Sequence, residues 1–367
     1  MLKKESVMLQ CGSKSFTSSK LKDRRLSMTG TLLLLAALVF TILLNANPAF
    51  ASATEAQRKS IAAQINKIRN DPTSVGSLAP TSVLNQSLTV TTADNATAAG
   101  IETPGNIIGG NNASRNEYRE YTLIIGTDGF GNLAFTCGGS LISATVVLTA
   151  AHCSTEPAST YFLIPGFYSF NDNITLADLV TLSRLRQHPN YDAAAIESDI
   201  AVMVLSQPTS QPPASVFVGD MDLAGSSGTT IGTGLTQSTP STQSVAVLQE
   251  IDIPITSNQA CNDAFDQLIG ARPVTENGIC AGFATNSRSA CSGDSGGPLY
   301  TNIEGVRTIV GTTSFGIFPC EFNRATSVFA RTSTLSEFII SESPNTVFIG
   351  GDADSQYIPA IHMLLDE

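Results

Sequence analysis

Apolar positions follow three different patterns along this chain. Residues 31–44, TLLLLAALVFTILL, form an unbroken apolar run. Between Ala56 and Arg69 the spacing is helical, with Ile61, Gln64, Ile65 and Ile68 on one face. From Ile107 onward, short β-rich runs alternate with Gly, Ser, Asn and Pro turns: EYTLIIG, TVVLTA, IAVMVL, VAVLQEIDIPI, RTIVGTTSF and SVFAR. Frequent short strands between turn signals predict an all-β barrel or sandwich. A short helix is expected over Leu335–Ile340. The apolar residues of the tail, among them Val347, Phe348 and Ile349, suit docking as a strand or a helix. No internal repeat is evident.

The apolar run is preceded by Lys20, Lys22, Arg24 and Arg25 and followed by Pro48, Ala49, Ala51 and Ala53. A positive region, an apolar region and small residues at a cut form the order of a signal peptide. As a helix the run would reach ~21 Å, against a hydrocarbon core of ~30 Å, so it reads as a cleaved leader rather than an anchor. Cleavage after Ala51 or Ala53 fits equally well. The expected organisation is a signal peptide with a long basic n-region over 1–53 and a polar, cysteine-free pro-segment over 54–106. A working domain over 107–343 follows, then a tail of unassigned role over 344–367. Past its helical part the pro-segment reads as loop or linker.

Composition narrows the class. Of 367 residues, 42% are hydrophobic and 14% charged, which suffices for a core and is too little charge for general disorder. The net charge is -11, and after Ile107 there are nine arginines, no lysine and 25 acidic residues. Such a surface excludes a nucleic acid partner, which needs a cationic face. Six of the seven cysteines follow Ile107: an even set that, in an exported domain, implies three disulfides without fixing their pairing. No CxxC spacing marks a metal site, and Cys11 falls within the leader.

Three segments carry candidate chemistry. In CSGDSGGPL, Cys291–Leu299, glycines surround Asp294-Ser295. A serine hydroxyl needs a base to act as a nucleophile, and N–H groups aimed at the oxyanion it creates. Glycines permit the tight turn that collects such groups. Taken alone, the segment also reads as a plain Gly/Ser turn. In VVLTAAHC, Val146–Cys153, His152 follows a buried run and two small alanines. In SDIAVMVL, Ser198–Leu205, Asp199 opens an apolar strand, which draws its carboxylate inside. A buried carboxylate requires a hydrogen-bonding partner, and an imidazole is one.

Together, in the order His, Asp, Ser, these segments resemble the chymotrypsin/trypsin-like serine peptidases over Ile107 to about Ser343. The order differs from that of subtilisins and α/β-hydrolases. The resemblance implies two six-stranded antiparallel β-barrels with the active site between them and a short C-terminal helix. It implies a nucleophile at Ser295, a general base at His152, an orienting carboxylate at Asp199 and an oxyanion hole formed by the N–H groups of Gly293 and Ser295. IIGG, Ile107–Gly110, stands where mature chains of the family begin, so a cut before Ile107 would free an α-amino group to pair with Asp294. The preceding Thr103-Pro104-Gly105-Asn106 lacks Arg and Lys, so tryptic activation does not fit; another peptidase or self-cleavage is required.

The family's disulfides would join Cys137 to Cys153, Cys261 to Cys280 across a surface loop, and Cys291 to Cys320. Its substrate pocket would have Ser289 at the base, with Ser314, Phe315, Gly316 and Ser327 along its walls. A neutral base implies preference for an uncharged, aromatic or large aliphatic residue before the cut, with elastase-like choice of small residues as the alternative. A non-catalytic binding relative is a further reading, disfavoured because the three residues and Asp294 are all present. No cofactor or metal is expected. The expected partners are protein or peptide substrates and an activating peptidase, with no lasting membrane association after leader removal. The expected location is secreted, either extracellular or periplasmic.

Overall fold

The computed structural model describes residues 48–70, 88–89, 107 and 109–350, apart from 129, 235–245, 283–288, 319 and 321–325. The leader's apolar run, most of the segment 71–106 and the tail from 351 lie outside the described residues. The chain divides into two compact units, Met1–Glu55 and Ala56–Glu367. The first contains the beginning of helix α1, Pro48–Asn70.

The first β-barrel is built from β3 (Tyr121–Thr127), β4 (Leu133–Leu141), β5 (Val146–Thr149), β6 (Tyr161–Pro165), β7 (Leu182–Gln187) and β8 (Ala201–Leu205). Its strands run antiparallel in the order β6-β3-β4-β5-β8-β7. The ring closes where Leu163 of β6 and Val180, just before β7, exchange backbone hydrogen bonds of 2.8 Å each. Strand parity explains the composition. Ile124, Val147, Leu163 and Met203 feed one apolar cluster, while Leu123, Ile125, Leu148 and Val202 face the other way into a second. Both faces of these strands are buried, which is why the runs are nearly continuous in apolar residues.

The second barrel uses β10 (Ser227–Gly232), β11 (Gln249–Thr256), β12 (Gly278–Gly282), β13 (Pro298–Ile303), β14 (Val306–Phe318) and β15 (Thr326–Arg331). The order β13-β10-β11-β12-β15-β14 closes because β14 also pairs with β13. Along β11 burial alternates, with Ile251, Ile253 and Ile255 inside. Short strands decorate this barrel. β1 (Leu88–Thr89) and β9 (Ser215–Phe217) lie parallel to β14, β16 (Phe348–Ile349) lies parallel to β9, and β2 (Asn111–Asn112) pairs with β11. The start of the tail thus docks as a strand. Two closed barrels in a mostly β chain agree with the expected fold class, as does the C-terminal helix, here α3 (Ser336–Glu342).

Cys261 lies in helix α2, Asn258–Ile269, whose N-cap Ser257 accepts the N–H of Ala260 and whose C-cap Gly270 is left-handed at φ 67°. Phe265 and Cys261 form its buried face. Three disulfides, Cys137–Cys153, Cys261–Cys280 and Cys291–Cys320, staple the unit. Chain-entropy arguments give loops of this size about 3 kcal/mol each.

Phe329 is fully buried in the second barrel's apolar cluster. Phe329→Ala should lower the unfolding free energy by about 3–5 kcal/mol, read from denaturant titration of the full chain.

Candidate active site

Strand register brings His152 and Asp199 together. β5 and β8 pair antiparallel with Thr149 opposite Ala201. Two residues further on, Asp199 falls opposite Ala151, next to His152. The chain there turns into one 3-10 turn, Ala151–Ser154. Gln187 braces that turn by donating to the carbonyls of Ala151 (3.0 Å) and Ser154 (3.1 Å), and the Cys137–Cys153 disulfide ties it to β4.

Asp199 is 1% exposed, and its carboxylate oxygens are held by His152 and Ser314. Its Oδ1 accepts the backbone N–H of His152 at 2.8 Å; Oδ2 lies 2.7 Å from His152 Nδ1 and accepts the Ser314 hydroxyl at 2.6 Å. Burial pushes this carboxyl's pKa up. The adjacent imidazole and the hydrogen bonds from His152 and Ser314 outweigh it and hold the group below the usual Asp range. An ionised Asp199 can only accept, so in the neutral imidazole Nδ1 carries the proton and Nε2 the lone pair. Nε2 is buried and has no hydrogen-bond partner among the described residues.

Ser295 arrives on a turn that only glycines can make. Gly293 sits at φ 97°, and a Cβ there would lie 2.9 Å from the Cα of Gly234. Gly296, at φ 76°, packs so closely on the strand leading to His152 that a Cβ would meet Thr149 Oγ1 at 2.1 Å. The turn is pinned to both barrels. Gly138 of β4 donates to the Ser295 carbonyl at 2.8 Å, and Gly296 donates to Thr313 of β14 at 2.8 Å. The N–H groups of Gly293 and Ser295 find no acceptor among the described residues. The structure therefore brings the three segments together while leaving the Ser295–His152 hydrogen bond unmade.

Asp294 is fully buried; its Oδ1 accepts Gly234 N–H at 2.8 Å and its Oδ2 accepts Cys291 N–H at 2.9 Å. Among the described residues it has no ion pair. Burial, only partly offset by those two backbone donors, raises its pKa from 3.8 to about 7. Ile107 is fully buried too, in the second barrel's apolar cluster.

The residues expected to form a pocket lie close in register. Gly316 of β14 is opposite Ser327 of β15, and Phe315 is opposite Val328. Ser289 is buried and donates to the Cys320 carbonyl at 3.0 Å; the Ser327 hydroxyl accepts Ala290 N–H at 3.2 Å. A Cβ at Gly316 would meet nothing closer than 3.7 Å, so that wall has room. Phe315 leans on Phe265 of α2, ring centroids 6.1 Å apart.

Other titratable groups stand apart. His188 packs edge-on against Phe338, and His362 lies outside the described residues. Cys137, His152 and Cys153 cluster within 4.8 Å, but the disulfide occupies both sulfurs and leaves no thiolate for a metal.

The sequence reading missed some supports. Gly234, which holds Asp294, has a signal in the Gly232-Thr233-Gly234 spacing at a strand end. Glu197 has none. It precedes Asp199 on a loop where Ile196 and Ser198 adopt positive φ, and it accepts hydrogen bonds from Thr275 (2.7 Å) and Asn277 (2.6 Å), far away in the chain.

Two barrels, with a buried His–Asp pair and a glycine-framed serine, define the class of a serine peptidase, and comparison with known proteins agrees. The family model Trypsin matches residues 107–339. Serine protease filzig of Drosophila melanogaster is 30% identical over 239 residues, which are 62% of this chain and 14% of that protein. The chain thus spans a small part of that relative's length. Trypsin 5G1 of Aedes aegypti is 29% identical over 244 residues, 65% of this chain and 85% of the relative. Trypsin, alkaline B of Manduca sexta is 29% identical over 258 residues, 68% of this chain and 95% of the relative. The chain belongs to the trypsin family of serine peptidases.

Asp294 makes a pH prediction for the full-length chain kept uncut by Ser295→Ala. A carboxyl whose folded pKa lies above its unfolded value stabilises the fold most below the unfolded value. Stability should therefore fall as pH rises from about 4 to about 7. Thermal unfolding across that window should show the decline, and Asp294→Asn should flatten it.

Proposed function

We propose that this chain is a secreted serine endopeptidase, made as a zymogen, in which Ser295, His152 and Asp199 carry out acyl transfer. The observation that carries the reading is the state of His152. Its Nδ1 is locked on Asp199, at 2.7 Å, while its buried Nε2 is left with a free lone pair. Such an atom needs a donor, and the Ser295 hydroxyl is the donor that chemistry calls for.

In the reaction, Nε2 takes the Ser295 proton as Oγ bonds to the scissile carbonyl carbon and the carbonyl electrons move onto oxygen. The unengaged N–H groups of Gly293 and Ser295 suit that oxyanion, a stabilisation of ~2.7–4 kcal/mol per donor. The imidazolium, steadied by Asp199, gives its proton to the leaving amine as the C–N bond breaks. Water then repeats the sequence on the acyl-enzyme.

Activation is assigned to the bond before Ile107, within a chain organised as leader 1–53, pro-segment 54–106, peptidase domain 107–343 and tail. The cut supplies the cation that buried Asp294 lacks, and Asp294 adjoins the serine. The three disulfides and the leader's charge order support export. Among the described residues no helix is long and apolar enough to cross a membrane.

The pocket reading favours an uncharged residue before the cut. Ser289 offers no charge, and its hydroxyl is already engaged by the Cys320 carbonyl. Ser327 occupies one wall and Gly316 leaves the other open.

Ser295→Ala should lower kcat on a peptide substrate about 10⁶-fold with the fold intact, and Asp199→Asn roughly 10⁴-fold. A covalent serine-directed probe should label Ser295 in the matured enzyme; an unlabelled, folded protein would mean a binding module instead. On a panel of Phe, Leu, Ala and Arg substrates, kcat/KM should be greatest for Phe or Leu. Greatest turnover of Ala would indicate the elastase-like pocket, and dominance of Arg would refute the neutral-base argument.

A further inference from the structure

Helix α1 lies well ahead of the assigned cut, yet from Ala56 onward it belongs to the same compact unit as the peptidase barrels. Ile61 and Ile65 are 0% and 1% exposed and join the apolar cluster that contains Phe167, Phe170, Ile174 and Leu179. The opposite side, with Ala56, Gln57, Ser60 and Ala63, is exposed.

Polar side chains complete the seat. Arg58 donates through one guanidinium nitrogen to the carbonyls of Leu176 and Leu179, the latter at 2.9 Å. Asn66 bonds both backbone groups of Ile174, donating to its carbonyl at 2.8 Å and accepting its N–H at 3.1 Å. Gln64 does the same across a turn, accepting Leu133 N–H at 2.9 Å and donating to the Gly131 carbonyl at 3.4 Å. Each of these host groups is main chain. Without the helix, these partly buried donors and acceptors would need new partners and the apolar cluster would open to water.

We propose that the first barrel carries a docking surface for this one segment, and that the part of helix α1 inside the pro-segment, from residue 54 onward, stays bound there after the bond before Ile107 is cut. The active enzyme is then a non-covalent pair of the pro-segment and its own peptidase domain. This rests on the activation reading for the position of the cut. No disulfide is available to do the work, because all three join cysteines between Cys137 and Cys320. Most helical stability in a protein comes from packing an apolar face, here Ile61 and Ile65, so the surface holds the helix.

The test uses the full-length chain with Ser295→Ala and the sequence DDDDK placed over residues 102–106, cut by enteropeptidase to leave Ile107 as the new terminus. Size-exclusion chromatography and intact mass should show the pro-segment co-eluting with the peptidase domain at equal stoichiometry. Ile61→Asp combined with Ile65→Asp should release it. If that pair impairs folding, Arg58→Ala combined with Asn66→Ala should speed its dissociation at least tenfold. A pro-segment that elutes free of a folded, otherwise unsubstituted domain overturns the proposal. The activation reading fails separately: naturally exported enzyme that begins at a residue other than Ile107 refutes it, whatever the chromatography shows.

Discussion

Asp199 holds a negative charge almost out of reach of water, and the rest of the site is arranged around keeping it there. An isolated carboxylate at that depth would protonate, because desolvation penalises its charged form. It stays ionised because each oxygen is occupied: one by the His152 backbone, the other by the His152 ring and the Ser314 hydroxyl. These donors come from both barrels, since His152 follows β5 and Ser314 lies on β14. One buried charge thereby joins the two halves of the peptidase unit. It also fixes which ring nitrogen carries the proton, and so where the lone pair is. A carboxamide in its place would keep the volume and lose that control.

Asp294 is the instructive contrast. It is equally buried and receives two backbone hydrogen bonds, yet its pKa moves up rather than down. Among the described residues it lacks what Asp199 has, an imidazole and a hydroxyl that donate to its oxygens. Two aspartates of the same depth therefore differ by their partners alone, one completed within the fold and the other left in want of a cation. In the proposed activation, such a group beside Ser295 stores a response to charge, which a new α-amino group at Ile107 would supply.

Much of this was legible in the sequence because chemistry at the site demands particular residues at particular points. Gly293 and Gly296 occupy positions where a side chain would collide with Gly234 or Thr149, so their identity announces the turn. Strands β3, β5 and β8 announced themselves through apolar runs buried on both faces. Other elements were quieter. β7 reads LSRLRQ, with Ser183, Arg184 and Arg186 exposed and no clean alternation, and β4 contains two adjacent glycines. Helix α2 is bracketed by Ser257 and Gly270, proper capping residues, but its interior is polar enough to pass for a loop. The bracing of the loop before Asp199 by Glu197 was invisible because Thr275 and Asn277 are neighbours only in space.

The contacts of helix α1 and the environment of Asp294 are independent in an informative way. The helix touches main-chain groups at Gly131, Leu133, Ile174, Leu176 and Leu179, all belonging to the first barrel or the loops attached to it. Asp294 is held by Gly234 and Cys291, both in the part of the chain that builds the second barrel. Supplying a cation to Asp294 therefore removes no hydrogen bond from the helix and uncovers no part of Ile61 or Ile65. In the proposed reading, a cut before Ile107 would end covalent attachment while leaving these helix contacts in place. Activation and retention then answer to different physics, one to charge in a dry site and the other to apolar burial and main-chain hydrogen bonds.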